Sequence, residues 1–164
     1  MLPQDIEAIA EAVICRAEAA GLMIATAESC TGGLVSGALT AITGSSAVLD
    51  RGFVTYSNEA KVEMLGVSRD LLASFGAVSE PTARAMAEGA VARSRASIAV
   101  SVTGIAGPGG GSPQKPVGLV HFAAHGPNGR TVHLEKRFGD IGRDAIRLES
   151  VRTALGLLMD AVSE

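Results

Sequence analysis

Tryptophan is absent from this 164-residue chain, and aromatic residues make up only 3% of it. A core without large rings has to be filled by Ala, Val, Ile and Leu, as in helix-covered sheets. Only two cysteines occur, Cys15 and Cys30, which excludes a disulfide framework and a cysteine-rich metal cluster. A reducing cytoplasm is therefore the expected compartment. No apolar run approaches the roughly 20 residues of a membrane-spanning helix. Asp5, Glu7 and Glu11 interrupt the first stretch, where a signal peptide would need an unbroken apolar block. A soluble protein without a membrane partner is expected. The net charge of −3 argues against a broad nucleic-acid footprint but permits a small basic pocket for one phosphate. Histidine is scarce too. His121, His125 and His133 sit late in the chain, and no clustered carboxylate or cysteine completes a triad or metal site with them. No Walker A motif is present, and Thr103-Gly-Ile-Ala-Gly-Pro-Gly-Gly-Gly lacks the dinucleotide-binding glycine spacing.

What the chain does contain is 47% hydrophobic residues, enough for one domain spanning 1–164. Pro3 to Ala20 carries the helical period, and Gly21 suits its end. Leu22–Ala27 reads as a buried strand, followed by a helix over about Gly33–Ala41. Val48–Tyr56 reads as a second strand, and Asn58 is placed to cap a helix containing Lys61 and Leu65. Ser68–Phe75 and a longer segment capped by Ser79 read as helices. Ser97–Val102 is a third central strand, and the glycine- and proline-dense Gly107–Pro116 is a loop. Val117–Ala124 and Thr131–Phe138 alternate like paired strands, and the helical period returns from Arg143 to Val162. The expected fold class is α/β: a three-layer α/β/α sandwich around a mixed, mostly parallel sheet.

The segment Thr26-Ala-Glu-Ser-Cys-Thr-Gly-Gly33 carries the most chemical information. An apolar run breaks into small polar residues and glycines before a helix, placing Ser29, Cys30 and Thr31 on exposed main chain near a helix start. Gly32 and Gly33 allow close approach of a ligand. Such a turn suits an activated nucleophile or an anion, and equally an ordinary helix cap with packing glycines. Lys61, read as lying in the first turn of its helix, is either a solvated surface lysine or an amine whose pKa is lowered for use as a base. Arg143 and Arg147, spaced i, i+4 at the start of the last helix, share a face. They form either a phosphate receptor or local pairs with Asp140 and Asp144.

Five segments in order are more specific than any one of them: T-A-E-S-C-T-G-G at 26–33, G-F-V-T-Y-S-N-E-A-K at 52–61, V-S-E at 78–80, T-G-I-A-G-P-G-G at 103–110 and K-P-V-G at 115–118. Together they closely resemble the C-terminal domain of the competence-damage protein CinA, over nearly the whole chain. Stand-alone members of that family are nicotinamide-nucleotide amidases, so the resemblance implies hydrolysis of the carboxamide of nicotinamide mononucleotide and recycling of pyridine nucleotide, with no cofactor. It implies Ser29 as nucleophile and Lys61 as general base. It further implies that Tyr56 and Asn58 orient the lysine or substrate, that Thr103 and Gly104 line the pocket, and that the protein forms a homo-oligomer. The N–H groups from Cys30 to Gly33 would stabilise the oxyanion. The chain departs from the family at Gly139-Asp140, where Ile141-Gly142 intervenes before Arg143, so the match does not fix where the arginines point. A hydrolase using Cys30, a non-catalytic nucleotide-binding module and an enzyme acting on another amide stay open as rival readings.

Overall fold

The computed structural model describes residues 1–164. Its apolar runs and helical periods become α1 (Gln4–Ala20), β1 (Ile24–Glu28), α2 (Leu34–Thr40), β2 (Leu49–Val54), α3 (Asn58–Leu65), α4 (Arg69–Phe75), α5 (Glu80–Ala92), β3 (Ile98–Gly104), β4 (Leu119–His125), β5 (Thr131–Arg137) and α6 (Arg143–Val162). The five strands form one sheet in the order β2-β1-β3-β4-β5. β1 runs parallel to both β2 and β3, β4 is antiparallel to β3, and β5 is antiparallel to β4. Four strands therefore share one direction and β4 alone is reversed.

The two faces of the sheet differ in the size of their side chains. Ile24 of β1 and Ile98, Val100 and Val102 of β3 point into a large core shared with α1, α2 and α6. Ala25, Ala27 and Ala99 point the other way, against Leu65, Leu72, Met86 and Ala90 of α3, α4 and α5. Period-two alternation thus gives one β-branched face and one alanine face, and helices can settle closely on the second. Gly89 shows how closely: a Cβ there would lie within bonding-clash distance of the Leu65 carbonyl, so only glycine lets α5 pack on the end of α3.

Helix starts follow their caps. Ser68 and Ser79 accept from Leu71 N and Thr82 N, with Pro81 in the first turn of α5, as the sequence implies. The cap of α3 is Ser57 rather than Asn58, its Oγ accepting from Ala60 N at 3.0 Å. Asn58 becomes the first helical residue, and Lys61 moves to the end of the first turn. A serine cap of this kind contributes about 1 kcal/mol to its helix.

Register positions the site. Glu28 at the end of β1 pairs with Val54 of β2 and Val102 of β3. The chain segments leaving three parallel strands therefore emerge side by side along one edge, where open α/β sheets place their ligands.

Candidate active site

Ser29 is the first residue past β1, yet the ladder still holds it: its N–H donates to Val102 O at 2.9 Å. On the other side Thr55 N donates to Glu28 O at 2.8 Å. Glu28 itself is fully buried, and its two carboxylate oxygens accept from Val35 N (2.8 Å) and Ser36 N (3.0 Å) of α2. An acid at the end of a fully buried strand thus satisfies two N–H groups that a helix start leaves unpaired. The helix end that sequence reading offers to a ligand is already occupied by Glu28. Nothing in the local pattern distinguishes this carboxylate from a catalytic one.

The turn from Ser29 to Gly33 has its own bonding. Gly32 N donates to Ser29 O at 3.0 Å, so it is not free to stabilise an oxyanion. The N–H groups of Cys30, Thr31 and Gly33 donate to no group in the chain, and of these residues only Cys30 lines the adjoining cavity. Gly32 and Gly33 both have positive φ, 57° and 103°, and shape the turn rather than the cavity wall. Thr31 is fully buried beneath it.

Lys61 comes from α3 and points back under β2. Its side chain is buried (1% exposed), and Nζ donates to Thr55 O at 2.8 Å and to Ser29 Oγ at 3.2 Å. Burial lowers its pKa below the ordinary 10.5, because the charged form loses its water. A Cys30 thiolate would oppose this shift. Burial, however, pushes the Cys30 thiol up to about 11, so near neutrality it is an uncharged thiol. Burial alone accounts for the lowered value, with no arginine contributing.

Around this pair lies a cavity of about 260 Å³. Tyr56 and Asn58 line it from the β2–α3 connection, Thr103 and Gly104 from β3, Gly107, Gly109 and Gly110 from the following loop, and Arg143 from α6. No carboxylate lines it. Thr103 Oγ1 donates to Ala77 O at 2.8 Å, fixing the Ala77–Val78 wall of the cavity. A Cβ on Gly104 would sit 2.6 Å from Val120 Cγ2, which accounts for glycine beside β4.

The arginine pair is divided. Arg143 reaches the cavity despite the two additional residues before it, donating to Gly107 O at 2.7 Å and to the Tyr56 hydroxyl at 3.1 Å. Arg147 does not line the cavity. Its guanidinium donates to Cys30 O (3.1 Å) and Thr31 O (3.3 Å), bracing the turn from below. A shared helix face was legible in the spacing; the carbonyls waiting one turn along were not.

The histidines lie elsewhere. His121 Nδ1 and His133 Nε2 are 2.8 Å apart across β4 and β5, with rings stacked at 5.1 Å. Their register is diagonal, so strand parity within β4, which groups His121 with His125, does not reveal the contact. No group of metal-ligating side chains is assembled anywhere in the chain, and no helix is long and apolar enough to cross a membrane.

Known proteins share this sequence pattern and this fold. Residues 6–162 match the family described as the CinA C-terminal domain. A CinA-like protein of Anaeromyxobacter sp. (strain K) is 52% identical over 90% of this chain, which spans 36% of that relative's length. A protein of Enterobacter agglomerans named nicotinamide-nucleotide amidohydrolase PncC is 52% identical, over 84% of this chain and 86% of its own. The crystal structure of the competence/damage inducible protein CihA from Agrobacterium tumefaciens superposes with a TM-score of 0.97 at 60% identity, covering 100% of this chain and 99% of that one. An Escherichia coli protein of the CinA superfamily superposes at 0.89 with 36% identity, covering 97% and 93%. With the family matched from its first helix to its last, the chain belongs to the CinA C-terminal domain family.

Proposed function

We propose that the chain is an amidohydrolase that converts nicotinamide mononucleotide to nicotinate mononucleotide and ammonia, by a Ser29/Lys61 mechanism that recycles pyridine nucleotide in the cytoplasm. One observation carries the proposal: a buried lysine amine 3.2 Å from a serine hydroxyl, at the edge of a cavity. The identity to a relative named for this activity supports the choice of substrate.

An amide is a weak electrophile, so its hydrolysis requires an activated nucleophile, a stabilised oxyanion and a protonated leaving group. Ser29 Oγ attacks the carboxamide carbon while neutral Lys61 takes the hydroxyl proton. The carbonyl oxygen becomes an oxyanion facing the free N–H of Cys30. As the C–N bond breaks, the Lys61 ammonium returns the proton to the amide nitrogen, which departs as ammonia and leaves a Ser29 ester. Water then attacks the ester, Lys61 again takes and returns one proton, and nicotinate mononucleotide leaves with Ser29 restored. Tyr56 and Asn58 line the cavity, and Arg143 carries the positive charge that suits a phosphate monoester.

Cys30 fits the nucleophile's role poorly, since a thiol held near pKa 11 presents almost no thiolate at neutral pH. Ammonia release measured across pyridine nucleotides and unrelated amides tests the proposal. Turnover of the mononucleotide, with riboside and free nicotinamide far slower, is the expected result. No release from any amide would leave a nucleotide-binding module as the better account. A homo-oligomer belongs to the same proposal, and a monomeric mass in light scattering would remove it.

A further inference from the structure

Glu28 is a fully buried carboxylate that the chemistry at Ser29 does not use. Strand parity puts it on the same face as Ile24 and Thr26, toward α2, whereas Ser29 turns the other way, toward Lys61 of α3. Its partners are all uncharged. Oε1 accepts from Val35 N, and Oε2 accepts from Ser36 N and, at 3.3 Å, from Thr26 Oγ1. Burying a carboxylate without a cation is costly, and neutral side chains satisfy most helix starts without that cost. Completing α2 is therefore a small return for a buried charge.

The carboxylate joins the residue just before Ser29 to the first turn of α2, so one side chain fastens both ends of the Ser29–Leu34 segment. Thr26 Oγ1 adds a second tie, 2.5 Å from Ser36 Oγ. Gly52 of β2 leaves room for it: a Cβ there would overlap Ser36 Oγ and stand 2.9 Å from Thr26 Oγ1. From the α6 side Arg147 takes Cys30 O and Thr31 O. Within the turn, Ser29 O accepts from Gly32 N. A trans peptide holds its N–H opposite its C=O, so a Ser29 carbonyl directed into the turn aims the Cys30 N–H out of it.

We propose that Glu28, tied to Thr26 and Ser36, is a positioning residue for the hydrolysis, holding Ser29 Oγ against Lys61 Nζ and the Cys30 N–H toward the developing oxyanion. It touches neither substrate nor reacting atoms and acts through the main chain. The charge has a purpose here, because hydrogen bonds from N–H groups to a carboxylate are shorter and stronger than neutral ones. A nucleophile displaced by about 1 Å can lose about 10²-fold in rate, so a tight clasp on the turn matters more than a cap on α2. Thr26, Glu28, Ser36 and Gly52 line no part of the cavity, which separates this role from substrate binding. The assignment rests on the Ser29/Lys61 reading of the reaction.

The test is Glu28→Gln, which keeps the side chain's shape but turns one acceptor into a donor facing a main-chain N–H. At a temperature where circular dichroism shows the variant folded, kcat on nicotinamide mononucleotide should fall about 10²-fold with KM within about twofold. Gly52→Ala is a second arm on an exposed position of the edge strand. Its methyl drives Ser36 Oγ off Thr26 while removing no polar group, and kcat should fall at least about threefold at constant KM. Unchanged kcat in the folded Glu28→Gln variant, or in Gly52→Ala should Glu28→Gln not fold, would overturn the assignment. A rise in KM that accounts for the whole loss would do the same. Labelling with an alkyl phosphonofluoridate gives a readout independent of amide hydrolysis: the Ser29 O–P bond forms, the P–F bond breaks, fluoride leaves and Lys61 takes the hydroxyl proton. Followed by mass, its rate should fall in each variant in the same ratio as kcat. If the wild type is labelled but releases no ammonia, the amidohydrolase reading fails while the labelling rates still decide the role of Glu28. A wild type neither labelled nor active would overturn both.

Discussion

Two clusters of titratable side chains stand on this sheet, and the more conventional one lies away from the cavity. His121 and His133 share a hydrogen bond, with Glu135 and Glu80 within 3.7 and 3.6 Å of their outer nitrogens. In composition that is a catalytic cluster. Yet each imidazole engages its neighbour, and neither lines the cavity beside Ser29. Lys61 is an unpromising base by residue type, and it has the only amine that touches the candidate nucleophile. Desolvation lowers the pKa at both places, foremost for the histidines and for the lysine alike. Only one cluster has a reactive hydroxyl within reach. Position relative to an electrophile's space, rather than residue type or a shifted pKa, separates the two.

The sharpest way to break the comparison is at the hydroxyl. Ser29→Ala should lower ammonia release by at least about 10³-fold, while Cys30→Ala keeps it within about tenfold. The reverse pattern would transfer the chemistry to the thiol. Lys61 comes next. A lysine works as a base only when neutral, and its lowered pKa brings the neutral form into a more acidic range than 10.5. The rate should therefore rise with pH through an apparent pKa below that value. Lys61→Ala should lose turnover, and Lys61→Arg should fail to restore it because guanidinium stays protonated. A flat profile from pH 6 to 10, which is about four decades of proton activity, would dissociate the lysine from proton transfer.

Arg147 offers a subtler contrast, because its hydrogen bonds reach only main-chain carbonyls of the Ser29–Gly33 turn. Removing it should misplace Ser29 rather than weaken phosphate binding. Arg147→Met is expected to lower kcat about 10²-fold with little change in KM, on mononucleotide and riboside alike. A rise in KM restricted to the phosphorylated substrate would return Arg147 to the anion site. The smallest effect is expected at the other cluster: His133→Gln should leave kcat/KM within about threefold. A loss as large as that of Lys61→Ala would mean that the histidines are coupled to the reaction.

Much of this arrangement was legible in the residues. The run from Ile24 into Glu-Ser-Cys-Thr-Gly-Gly marks a strand, a turn and a helix because apolar β-formers and glycines sort themselves that way. Ser68 and Ser79 mark their helices for the same local reason. Two boundaries were less legible. Ser57 rather than Asn58 caps α3, and neighbouring polar residues compete for that role on equal terms until the chain direction leaving β2 is fixed. The β4 segment begins at Leu119, not Val117, because Gly118 N returns to Ile105 O and delays the ladder. Glu28 and Arg147 were opaque for one shared reason. Each is a charged side chain gripping main chain from another element, and no spacing rule records which peptide groups are left unpaired.

The reversed direction of β4 has a consequence for timing. A strand returning beside β3 makes the intervening loop a tied neck, closed by Ile105 N to Leu119 O and Gly118 N to Ile105 O. Farther out, Arg143 of α6 holds the same loop at Gly107 O, and the loop's own Lys115 holds it to Phe75 O. A wall fixed at its neck and moored along its length does not swing as a flap, so substrate arrives and product departs past a standing doorway. On the proposed Ser29 mechanism, turnover at saturation should then be governed by bond making and breaking, and thickening the solvent with sucrose should leave kcat unaltered. A kcat that declines in proportion to viscosity would mean that the doorway moves.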